Sequence, residues 1–277
     1  MRMSRFPICA LTLLLLTLLG DSGAKAQAQD QSAPDEPDFI VPSRPTVSNP
    51  AEFQRPGVLQ LEFGYSANLH APGVSTEQDL PLALRFAVSR RLLLEFDGDS
   101  PSSQTVDGVR TTGVSDTQLG VQIVLRHENE SRPGVALAYY IKLPSASSAK
   151  GLGTGRVDHN LIALVSKKIG GTTVDLNASY LLAGRITDGG HASSGQGALA
   201  ASHDMTRRVR IQAEISGFSR NDAQAGAMFA LGAATYQLNR RLVLDCGVRF
   251  GLSHDAPPNG FFAGMTVGIA DLYKHRH

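Results

Sequence analysis

Along VLQLEFGYSANL (58–69) the odd positions Leu59, Leu61, Phe63, Tyr65, Ala67 and Leu69 are apolar. The even positions Gln60, Glu62, Gly64, Ser66 and Asn68 are polar or glycine. A two-residue period of this kind predicts a strand whose faces meet different surroundings. Similar segments lie near 78–88, 92–97, 117–126, 135–143, 157–166, 173–182, 196–202, 209–217, 226–236, 242–250 and 261–269, the alternation over 196–202 being too weak to fix a register. Nothing between them holds a 3.6-residue period. The expected fold class is all-β, an antiparallel barrel of about twelve strands, an even number as in bacterial outer-membrane barrels.

Charge indicates which surroundings the faces meet. With the apolar parity placed outward, no outward position is Asp, Glu, Lys or Arg. The opposite parity carries Glu62, Arg85, Glu95, Arg126, Lys142, Asp175, Glu214, Asp245 and Arg249, with Asp79, Asp97, Asp158 and Arg210 beside them. A Lys or Arg facing lipid at mid-bilayer costs about 2–4 kcal/mol in such barrels, so lipid would enforce this exclusion. In the same register 226–236 turns Gly226, Met228, Ala230, Gly232 and Ala234 inward, which would leave space there. Connections also alternate: 89–91, 127–133, 167–171, 203–208 and 238–241 are short, whereas 70–77, 98–114, 144–156, 184–196, 218–225 and 251–259 are longer. Short periplasmic turns and longer outer loops are the usual asymmetry of outer-membrane barrels. Four short turns hold a basic pair (Arg90-Arg91, Lys167-Lys168, Arg207-Arg208, Arg240-Arg241), read as solvated. Closure would pair every backbone group within hydrocarbon and remove exposed sheet edges.

The ends modify the picture. Arg2 and Arg5, the apolar run Ile8–Leu19 and the small residues around Ala24-Lys25-Ala26 read as a secretory signal over 1–26. Residues 27–56 hold Pro34, Pro37, Pro42, Pro45, Pro50 and Pro56. Such a segment cannot form a helix or a central strand. It is expected either to hang free in the periplasm or to tuck into a cavity, ahead of a barrel over 57–277. The net charge of +1 gives no reason to expect nucleic acid. After signal removal Cys246 is the one cysteine left, so no intramolecular disulfide is expected.

The order of several motifs resembles a broad family of Gram-negative outer-membrane proteins named for the meta-pathway of phenol degradation. The motifs are SRPTVSNPAEFQRPGVLQLEFGY (43–65), FAVSRRLLLEF (86–96), TGVSDTQLGVQIVL (112–125), YIKLPSASSAKGLGTGRVDHNL (140–161) and VRFGLSHDAPPNGFFAGMTVGI (248–269). The resemblance implies a barrel that helps small hydrophobic or aromatic compounds cross the outer membrane. It carries over no binding residues. One departure is the C-terminus, where DLYKHRH (271–277) follows the last strand and Tyr273 lies four residues from the end.

Candidate chemistry is sparse. The inward charges are expected to line a pore, or to pair as a ladder filling it, since buried charges persist only when paired or wet. GLGTG (151–155) precedes a strand rather than a helix, so it is no dinucleotide fingerprint but a rim loop. His191 and Ser193, with Asp188 as orienting acid, could form an imidazole-activated hydroxyl in what reads as a loop. The histidines, among them His70, His191, His254, His275 and His277, show no recurring metal-ligand spacing. Without Trp, an interfacial girdle falls to Tyr65, Phe86, Phe96, Tyr139, Tyr180, Phe218, Phe250 and Phe261. The expectation is an outer-membrane channel for small solutes, with no enzymatic activity, cofactor or metal. Its partners would be the solute, outer-membrane lipids and the barrel-assembly machinery. The alternatives are an outer-membrane lipid hydrolase using His191 and Ser193, and a plugged structural barrel.

Overall fold

A computed structural model of the protein describes residues 38–71, 74–106, 108–185, 188–221 and 225–273. The expected signal (1–26), the first part of the proline-rich segment (27–37), His275 and His277 lie outside the described residues.

The strands are β1 (Val58–Ala71), β2 (Val74–Ala87), β3 (Leu92–Val106), β4 (Val109–Gly113), β5 (Thr117–Arg126), β6 (Gly134–Leu143), β7 (Asp158–Ile169), β8 (Thr172–Gly184), β9 (His191–Asp204), β10 (Val209–Phe218), β11 (Ala227–Asn239), β12 (Leu242–Gly251) and β13 (Asn259–Asp271). All pairings are antiparallel. β1 pairs with both β2 and β13, β2 with β3 and β3 with β5, which closes a ring of twelve strands. β4 is extra: it pairs only with the far end of β3, as a hairpin on the rim. The expected barrel is thus the observed one.

The turn end, where β1 starts and β13 finishes, has the connections 88–91, 127–133, 170–171, 205–208 and 240–241. The shortest are the two-residue turns 170–171 and 240–241, and in the first Gly170 takes a φ of 61°, the left-handed value that such a hairpin favours. At the opposite, loop end several expected loops prove to be strand. β2 begins at Val74, β3 runs on to Val106, and β9 begins at His191. Stretches such as SPSSQTV are too polar to alternate, yet their backbone ladders are satisfied all the same. The weak 196–202 segment lies within β9.

Register sorts the side chains. Leu94, Phe96, Leu119, Ile123, Leu137, Leu161, Tyr180, Leu199, Ile211, Ile215, Val248 and Phe261 are exposed on the outside. Between the two ends, no outward strand position among the described residues is Asp, Glu, Lys or Arg. Lys167, on the outward side at the turn end of β7, binds Glu128 and the carbonyls of Asn129 and Glu130. Aromatics gather toward both ends: Tyr139, Tyr180, Phe250 and Phe261 at one, Phe86, Tyr236 and Tyr273 at the other.

β11 corrects the sequence reading. Its partners set Leu231 opposite Glu214 and Arg249, and Phe229 opposite Ser216. Phe229, Leu231, Ala233 and Thr235 therefore face inward, while Met228, Ala230, Gly232 and Ala234 face out. Phe218, expected in the girdle, also lies on the inner face, since its parity matches Glu214 and Ser216. Apolar parity marks the lipid side only where the lumen holds no apolar residues of its own.

The interior is not a side-chain core alone. Residues 38–56 occupy the turn-end half of the lumen as an extended strap. Ile40 packs with Val58 and Val243, Ala51 with Ala136, Ala138, Tyr140 and Leu164, and Phe53 with Ala87, Leu93 and Val124. The strap passes into β1 at Gly57, whose φ of 85° suits glycine.

Candidate functional site

The strap makes a circuit of the wall. Its prolines lack donors, so it joins no ladder. Several of its N–H groups meet wall side chains instead, while that of Arg55 donates to the Asp38 carbonyl within the strap at 3.0 Å. Val41 exchanges two hydrogen bonds with the Gln60 amide, at 3.0 and 2.9 Å. Ser43 and Arg44 donate their backbone N–H groups to the Glu62 carboxylate at 3.0 and 3.1 Å. Val47 and Ser48 donate theirs to Glu214 at 3.2 and 2.8 Å. Asn49 pairs doubly with Asn177 at 2.8 and 2.9 Å. Ala51 donates to the Ser166 hydroxyl at 2.7 Å, and the carbonyls of Pro50 and Ala51 accept from Gln122 at 3.1 Å. The Gln54 amide then donates to the Arg85 carbonyl at 3.0 Å. The partners come in turn from β1, β10, β8, β7, β5 and β2. Acidic lumen side chains thus take backbone donors as partners, through charge-assisted hydrogen bonds.

Wall glycines accommodate it. β13 has Gly260, Gly264 and Gly268 on its inner face, four residues apart. A Cβ on Gly264 would stand 2.7 Å from the Arg44 guanidinium, and one on Gly268 would stand 2.4 Å from the Phe39 ring. Arg44 therefore lies flat on β13 and reaches Asp245 at 3.2 Å. The period-four glycines of GFFAGMTVG were the sequence signal for this groove.

The expected pore-lining residues separate into groups. Glu62, Arg85 and Glu95 form one buried ionic cluster, with Arg85 3.2 Å from Glu62 and 3.1 Å from Glu95. Arg85 is fully buried and also donates to the Val41 carbonyl at 3.0 Å. Glu214 and Asp245 hold the strap directly, whereas Asp175 accepts from the Ser166 hydroxyl that holds it. Lys142 sits nearer the loop end between Asp116 at 2.9 Å and Asp158 at 2.8 Å. The same Asp116 accepts the N–H groups of Ala146 and Thr154, pinning the loop that holds GLGTG. Arg126 belongs to no such group: its guanidinium donates to the Pro133 carbonyl in the β5–β6 turn, at the barrel's end rather than in its hollow.

Between the strap and the loop end remains a cavity of about 560 Å³. Its floor is Ser43, Arg44, Val47 and Asn49 of the strap. Its wall includes Glu95, Asp97, Tyr140, Asn160, Ile162, Asn177, Phe218, Phe229 and Arg249. Phe218 and Phe229 line it although apolar parity alone would turn them to lipid.

The hydrolase constellation does not assemble. His191 and Ser193 lie on strand β9, not in a loop, on the side opposite the inward Ser194 and Gln196. Neither hydrogen-bonds the other among the described residues. His191 instead approaches His159, with ring centroids 6.0 Å apart, and His159 bonds the Tyr139 hydroxyl at 2.7 Å. The Asp188 carboxylate is engaged by the Gly190 N–H at 3.0 Å and by Arg185, which hold it below the usual carboxylate range. No group of three His, Cys, Asp or Glu poised for a metal occurs among the described residues.

The family described as "Putative MetA-pathway of phenol degradation" matches residues 43–267. Among solved structures, an outer membrane channel from Pseudomonas putida F1 aligns with a TM-score of 0.58 at 15% identity, covering 85% of this chain and 99% of that one. The NanC porin aligns at 0.53 with 9% identity, covering 76% and 98%. At these identities the likeness establishes the fold: that of Gram-negative outer-membrane barrels. No protein with a curated description matches the chain.

Proposed function

The chain belongs to the phenol-degradation MetA-pathway family, and from that premise we propose that it is an outer-membrane channel for small, largely apolar or aromatic solutes. The observation that carries this reading is the pairing of a cavity of about 560 Å³ with a floor made of a single extended strap. A barrel built only for rigidity fills its lumen with side chains; here the outer half is left open. The cavity wall mixes rings and aliphatic groups with hydrogen-bonding side chains, as small-molecule sites commonly do. Passage to the turn end requires the strap to shift, because its residues span the wall from β1 round to β5. Residues of the Glu62–Arg85–Glu95 cluster, with Glu214 and Asp245, hold that strap and set how readily it moves.

The experiment is solute flux into liposomes carrying the full chain or a chain lacking residues 38–55. Aromatic compounds are compared with polar nutrients of similar size. Entry of aromatics through the full chain, faster without the strap, is the expected result. Absence of flux through both would overturn the channel reading. The dense bonding of the strap supports one rival, a permanently plugged structural barrel, which predicts flux only after deletion. The hydrolase reading has no geometric support, and Ser193→Ala is expected to leave transport unchanged.

A further inference from the structure

Two cations line the cavity, Arg44 and Arg249. Arg44 is matched by Asp245. Arg249 has no carboxylate at ion-pair distance among the described residues. Its guanidinium is nevertheless held in place. Nη2 donates to Asn68 Oδ1 at 2.6 Å, and Asn68 donates in turn to Glu77 at 2.9 Å, so Glu77 is hydrogen-bonded to the guanidinium through the amide, while Glu77, Glu214 and Asp79 lie near enough to act on its charge. The contact spans three strands, because Arg249 pairs with Gly260 and Gly260 with Asn68. A Cβ on Gly260 would stand 2.7 Å from Asn68 Oδ1, so glycine is needed there for the bond to form. On its other side the guanidinium lies 5.1 Å from the Phe229 ring centroid, and Phe229 lies 6.3 Å from Phe218. These groups all lie in the loop-end halves of their strands, above the strap.

We propose that Arg249, Phe229 and Phe218 form a capture subsite for aromatic monocarboxylates. The claim deepens the channel reading and rests on it for its physiological sense. A guanidinium presents paired N–H donors that match a carboxylate, and such a pair is charge-assisted. The two phenylalanine rings offer the body of the solute an offset or edge contact. The remaining cavity wall selects for a single negative charge. Glu95 faces the same space, and its cluster sets two carboxylates, Glu95 and Glu62, against the single cation Arg85, so it would repel a second anionic group placed deeper in it.

The test uses the purified full chain in detergent, with benzoate and its neutral near-isostere benzamide as probes and binding read by calorimetry. The wild type is expected to bind benzoate about tenfold more tightly than benzamide, the scale of one charge-assisted hydrogen bond. Arg249→Gln is expected to erase that preference by weakening benzoate about tenfold more than benzamide, and Phe229→Leu to weaken both probes together. Equal binding of the two probes by the wild type, or a preference that survives in Arg249→Gln, overturns the proposal. The wild-type comparison stands even if a variant misfolds. Liposome flux is measured in parallel: flux without benzoate preference rejects the subsite alone, and preference without flux rejects the channel alone.

Discussion

At the scale of single residues, carboxylates of similar appearance have different duties. Glu214 makes its hydrogen bonds to the strap, accepting from Val47, from the Ser48 backbone and from the Ser48 hydroxyl. Glu62 serves the strap and also the fully buried Arg85. Glu214→Ala is therefore expected to loosen the strap, each charged hydrogen bond contributing about 1.5–3 kcal/mol. Protease cleavage within 38–56 and small-solute flux should both rise, while the barrel's unfolding temperature stays near wild type. Glu62→Ala leaves Arg85 short of a partner, and breaking a buried ion pair costs about 3–5 kcal/mol. Its unfolding temperature in the same thermal melt should fall clearly. An unchanged melt for Glu62→Ala would show that Glu95 alone suffices for Arg85.

At the scale of elements, β1, β5 and β12 were legible because each carries a charge or amide on one face and an unbroken apolar run on the other. β11 was not: Phe229 and Leu231 are apolar residues of the lumen, so parity gave the wrong face. Pairing would have corrected it, since Glu214 on β10 sits opposite Leu231 and so turns it inward. β9 was half hidden for a related reason, its small residues Ser193, Gly195, Gly197 and Ala201 giving little contrast between faces. The strap was visible as a proline run, but which wall residues bind it was not, because contacts such as Ser48 to Glu214 join residues 166 apart in sequence. The β11 register is open to direct measurement. In a Cys246→Ser background, Phe229→Cys should react with a charged, water-soluble thiol reagent, and the adjacent Ala230→Cys only with a lipid-soluble one. The opposite pattern would restore the sequence-based register.

At the scale of the whole molecule, the chain is sorted radially: apolar skin, hydrogen-bonded wall, polar and partly aromatic lumen, strap. Leu199 lies near the middle of β9 and half of it is exposed outward. Leu199→Arg should destabilise the barrel in lipid vesicles by about 2–4 kcal/mol. A cost near zero in a denaturant titration would mean that this belt does not meet hydrocarbon. The innermost layer has a consequence of its own. The wall grips residues 41, 43, 44, 47, 48 and 51 chiefly by their main-chain amides, which every residue other than proline possesses. Side chains add to that grip at Ile40, Arg44, Ser48, Ala51 and Phe53, so the hollow is a peptide receptor whose main-chain contacts set the path and whose side-chain contacts set the match. A peptide copying residues 38–56, supplied from outside to a truncated barrel, should seat in its place, and one of the same proline spacing with those side chains scrambled should bind more weakly.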